Sequence, residues 1–143
     1  MRRFRTKLSA LVLLAFTATA QAQSEWGVGE VLCAYELSRA AQILGRHCDN
    51  TRLPFDDEND EAVAIMTEYI TANSSGEHPV LERYRGSEKR ILFTSETERA
   101  ALCSDPNNKW LIEWRATAEL GLILPIARKI TATPATPTYG DCL

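Results

Sequence analysis

The first apolar run in the chain, residues 8–16, is continuous, with Ser9 its one polar position. Most later apolar clusters instead recur at intervals of three and four. A run that short does not span a bilayer, which takes about 20 apolar residues. Arg2, Arg3, Arg5 and Lys7 flank it without an acid, and Ala20-Gln21-Ala22 follows as a small-x-small site. Positive start, short apolar centre and small-residue site, in that order, predict a secretory signal peptide over residues 1–22. Residues 23–143 then form a single helical domain. No cysteine stands at the cleavage site, so a lipidated N-terminus is not expected, and the Arg2-Arg3 pair fits ordinary export.

Helical spacing dominates the remainder. Cys33, Leu37, Ala40 and Leu44 recur on one face, with Ser24 and Glu25 as a starting cap and Gly45 as the stop. Pro54 breaks the chain. The acids of residues 56–61 then open a second helix, with Asp57 and Asp60 resembling a capping pair. Its stripe is Ala62, Ile65, Met66, Tyr69 and Ile70, and it ends in Asn73-Ser74-Ser75-Gly76. That run also holds a glycosylation sequon, relevant only in a eukaryotic secretory pathway.

The middle is less periodic. Residues 79–84 suit one or two helical turns stopped near Gly86, and residues 91–93 are apolar enough for a short strand. Ser95 with Glu98 is a capping-box pattern that predicts a helix over 96–103. Asp105-Pro106-Asn107-Asn108 reads as a turn. Leu111, Trp114, Ala118 and Leu122 form the stripe of a last helix, which Pro125 should kink or end, with Ile126 and Ile130 beyond. After Thr131 the composition shifts to Thr, Ala and Pro, the signature of an extended tail. The pattern as a whole predicts an all-α fold, a small bundle of about four helices with an extended C-terminal tail.

Composition changes this picture in two ways. Export removes four basic residues and no acid, leaving 12 basic against 19 acidic side chains and a formal charge of -7 in place of -3. That acidity argues against nucleic acid and anionic membranes as partners. Export also places four cysteines, Cys33, Cys48, Cys103 and Cys142, where disulfides form. A bridge needs Cα atoms within about 7 Å, whereas 15 residues along one helix separate Cys33 from Cys48 by roughly 20 Å. An up-down path returns Cys103 to the end of the molecule holding Cys48, and leaves the tail near Cys33. The expected pairs are therefore Cys48–Cys103 and Cys33–Cys142. No Cys-x-x-Cys spacing suggests a catalytic redox pair.

Candidate chemistry is sparse. His47, beside Cys48 and Asp49, lacks a recognisable nucleophile or orienting partner, and a cation at a helix end already suits the macrodipole. His78 precedes Pro79 in a turn and reads as a solvated loop residue. The two histidines lack metal-ligand spacing. The acids of residues 56–61 lack the glycine and distal glutamate of a calcium-binding hand. There is no Gly-x-Ser-x-Gly elbow and no phosphate-binding glycine loop. Trp26, Trp110 and Trp114 are candidates to line a ligand groove, but Trp110 and Trp114, four apart, better suit a core face. No catalytic, cofactor-binding or metal-ligating residue is assigned. The leading expectation is a periplasmic or secreted protein that binds or inhibits another protein without being an enzyme. An acid- or stress-responsive chaperone-like role and an enzyme centred on His47 are the alternatives.

Overall fold

The computed structural model describes residues 26–87 and 92–140. Expectations for the signal peptide, for Ser24 and Glu25, for Ile91 and for Cys142 lie outside the described residues. Among the described residues six α-helices follow one another: α1 (Val31–Cys48), α2 (Asp56–Asn73), α3 (Pro79–Tyr84), α4 (Glu96–Ser104), α5 (Pro106–Arg115) and α6 (Ile123–Ile130). A 3-10 helix, Ala118–Leu122, leads into α6. The described residues are all-helical outside loops, and Leu92 and Phe93 belong to no strand.

The core forms where α2 packs on both α1 and α6. Val31, Ala34, Met66, Ile70, Leu120 and Ile130 are sequestered from solvent there, with Tyr35 and Tyr69 beside them. The stripe expected on α2 is the one that packs, with Val63 added and Ile65 at its margin. The stripe expected on α1 is too narrow. Leu37 and Ala40 are only half-buried, while Val31, Leu32, Ala34, Tyr35 and Ala41 are buried. α1 touches α2, α3, α4, α5 and α6, so it needs several apolar faces rather than one.

Helix ends depart from the pattern for local reasons. Gly29 has φ of +85°, a left-handed conformation a right-handed helix does not continue through, so α1 begins only at Val31. Gly45 does not end α1. The helix runs to Cys48, where the Asp49 N–H still donates to the Gly45 carbonyl at 2.8 Å. The expected last helix is broken before Pro125. Thr117 adopts extended backbone, and both its N–H, at 3.0 Å, and its hydroxyl, at 2.8 Å, donate to the Trp114 carbonyl. That closes α5, and Pro125 falls harmlessly in the first turn of α6. Asp105 to Asn108 is not a free turn either. Asp105 alone separates α4 from α5, its carboxylate accepts the Asn107 N–H at 2.8 Å, and Pro106 takes the first helical position.

The tail is extended, as expected, and it returns to the start of α1. Gly29 N–H donates to Ile130 O at 2.9 Å, Thr138 N–H to Gly29 O at 2.8 Å, and Leu32 N–H to Thr138 O at 3.1 Å. The last of these satisfies a first-turn donor of α1, whose N-cap residue Glu30 supplies no side-chain cap. Tyr69 Oη donates to Thr133 O at 2.9 Å and pins the tail midway.

Candidate functional site

Two regions concentrate polar or exposed chemistry: a buried ion pair at the start of α2, and the edge formed by α4 and α5. In the first, Arg115 at the end of α5 is 5% exposed and Asp56 is 8% exposed. Arg115 Nε donates to Asp56 Oδ1 at 3.0 Å and Nη2 to Oδ2 at 2.7 Å, a bidentate pair. The same guanidinium donates to Asp49 O at 3.1 Å and Thr51 O at 2.9 Å. Asp56 also accepts the Leu53 N–H at 2.8 Å. A single side chain from α5 thereby fixes the whole α1–α2 connection.

Gly45 makes room for it. A Cβ there would lie 2.4 Å from both Cδ and Nε of Arg115. Gly45 is thus required by close approach, not by a left-handed helix stop.

Four of the acids of residues 56–61, Asp56, Asp57, Asp60 and Glu61, are engaged. Asp57 pairs with Arg52. Asp60 receives the Gln42 amide and lies 3.4 Å from Arg52 and 3.8 Å from Arg46. Glu61 pairs with Arg128 at 2.6 Å. The expected capping pair of Asp57 and Asp60 does not form, because Phe55 occupies the N-cap and both acids turn toward arginines. Asn59, within this run, is buried and donates to Ser38 O at 3.1 Å. No group of three His, Cys, Asp or Glu side chains able to hold a metal ion occurs among the described residues.

The second region is built around Cys48 and Cys103, which are joined as a disulfide with Cα atoms 5.7 Å apart. This is the pairing the distance argument expects, and it excludes Cys33–Cys48. Cys33 is buried in α1. Its expected partner Cys142 lies outside the described residues. The capping box of α4 also forms, displaced by one residue. Ser95 Oγ accepts the Glu98 N–H at 3.2 Å, while the Glu98 carboxylate reaches back to Thr94 N at 2.6 Å and Thr94 Oγ1 at 2.8 Å. The Thr94 hydrogen bonds hold the Glu98 carboxyl below its ordinary pKa, and Arg99 does the same for Glu96.

Yet α4 has no buried residue. It is held by the bridge, by Arg99 Nη1 donating to Cys48 O at 3.3 Å, and by Asn108 Nδ2 donating to Leu102 O at 2.9 Å. On the adjoining α5, Trp110 and Trp114 have ring centroids 6.5 Å apart. The core expectation holds for Trp114, which packs against the core, but not for Trp110, which is 47% exposed.

The His47 ring packs edge-to-face on Phe93, with centroids 5.7 Å apart. The carboxylate of its neighbour Asp49 accepts the Thr51 N–H at 3.0 Å, and Thr51 hydrogen bonding holds its pKa low. His78 does more than sit in a loop. Its Nδ1 accepts the Val80 N–H at 3.2 Å and caps α3. No family model, curated protein or solved structure matches this chain.

Proposed function

We propose that this protein is an exported, non-enzymatic module that binds another periplasmic or secreted protein through its α4–α5 edge. The observation that carries the reading is the contrast within α4. A helix that buries none of its residues is nonetheless bonded covalently to α1 and capped at its start. Such an element adds little to a core, so its use lies in what its surface presents. Trp110 lies half-exposed on the helix that follows, and tryptophan is among the residue types enriched at binding hot spots. No described helix is long and apolar enough to cross a membrane. The reading keeps cleavage after Ala22, a periplasmic or secreted location, and no nucleic-acid or membrane partner. It also keeps the second bridge, Cys33–Cys142. Thr138 is hydrogen-bonded to Gly29 and Leu32, which brings the tail beside the turn of α1 that carries Cys33.

The test is retention of a partner from periplasmic extract by immobilised oxidised protein, run beside Trp110→Ala and, as a distant surface control, Glu68→Ala. The binding reading expects a band held by the parent and the control and lost with Trp110→Ala. Equal retention by all three would remove the α4–α5 edge from the account.

An acid-responsive role is the second reading. Asp49, Glu96 and Glu98, whose pKa values are lowered, lie in the loop after α1 or at the start of α4. Protonation would therefore loosen the same edge.

A further inference from the structure

We propose that the Cys48–Cys103 disulfide is a redox-operated clasp whose reduction releases residues 92–104 as an arm while the rest of the fold stays in place. Three observations converge. The core cluster draws on α1, α2, α3, α6, the 3-10 helix, Trp26, Phe55 and Trp114, and takes nothing from residues 92–104. α4 itself buries no residue, and the hydrogen bond beside the bridge, Arg99 to Cys48 O, is long at 3.3 Å. The bridge also sits at the rim, where both cysteines are only half-buried, unlike the buried Cys33.

The chemistry is a two-electron exchange. A dithiol reductant attacks the bridge, its own sulfurs close to a disulfide, and Cys48 and Cys103 each leave as a thiol. Asp105, the single residue between α4 and α5, is the natural hinge. The Arg115–Asp56 pair keeps α5 fixed on the α1–α2 connection throughout. Opening would separate Phe93 from His47 and lift Leu92 from the cavity it lines with Ile43 and Leu44. An apolar stretch of α1 is then uncovered.

Oxidised protein is treated with dithiothreitol in the absence of denaturant, new thiols are alkylated and located by mass spectrometry, and amide exchange is compared before and after. Label is expected at Cys48 and Cys103 before Cys33. Exchange over 96–104 should rise about tenfold or more, with α1, α2 and α6 still protected. The double variant Cys48→Ser, Cys103→Ser should fold and show the same local pattern without reductant. Unchanged exchange over 96–104 overturns the clasp. So does loss of protection throughout α1 and α2, label appearing only with global unfolding, or a double variant that does not fold.

Discussion

Arg115 is the residue on which most of the polar interior turns. Removing one member of a buried, hydrogen-bonded pair leaves the other charge desolvated and costs about 3–5 kcal/mol. Asp56→Ala should therefore strip Arg115 of its counter-charge and lower unfolding free energy by about that much, read from urea denaturation. Gly45→Ala should act through the same group. Alanine would gain about 1 kcal/mol of helix propensity in an unconstrained helix. Here its Cβ meets Arg115 at 2.4 Å, and four hydrogen bonds stop that side chain from swinging aside. The net effect is a loss of about 3 kcal/mol. Because both substitutions break one device, the double variant should lose less than the sum; strict additivity would show that Gly45 and Asp56 act independently. None of this was legible in the sequence. Arg115 lies beside Trp114, off the Leu111, Trp114 and Ala118 stripe, and no pattern in the sequence singles it out. Gly45 looked like a helix stop, since one glycine serves both close approach and termination, and only tertiary structure tells which.

At the scale of elements, short-range chemistry was readable and long-range packing was not. The Ser95–Glu98 pattern, the α2 stripe and the Pro79 start of α3 are local, and each forms. The single long helix expected after Asn108 does not, because the Thr117 hydrogen bonds to Trp114 end α5 within a periodic run. The exposed edge went unseen for a related reason: Trp110 and Trp114 share a spacing that cannot say which indole reaches the core. α4 offers a clean test of what its cap does. Loss of the Ser95 hydroxyl should weaken the helix start by about 1 kcal/mol. Since α4 adds nothing to the core, Ser95→Ala should speed amide exchange over 96–104 by about fivefold and leave the thermal midpoint almost unmoved. A drop of many degrees would mean that α4 supports the whole fold, and would count equally against the arm inferred above.

For the whole molecule, the distance argument that paired Cys48 with Cys103 carried further than periodicity did. It is at this scale that the acid-responsive reading stands or falls. Asp49, Glu96 and Glu98 are held below ordinary carboxylate values by Thr51, Arg99 and Thr94 respectively. The folded protein therefore binds fewer protons at these groups than the unfolded chain does. Their contribution to stability is complete above the ordinary carboxylate range of about 4, and is lost as pH falls through and below it. All three are exposed to solvent, so each contributes modestly and salt should weaken the effect further. The thermal midpoint should accordingly stay level from neutrality to about pH 5 and decline below about pH 4, with amide exchange rising first over 94–104. A hydrophobic dye that binds only below about pH 4, together with that local exchange, would support an acid-opened edge. A protein that remains compact and dye-free at about pH 3 is not an acid chaperone. In that case the lowered carboxyls serve the α1–α2 loop and the cap of α4, and the binding reading is left with the edge to itself.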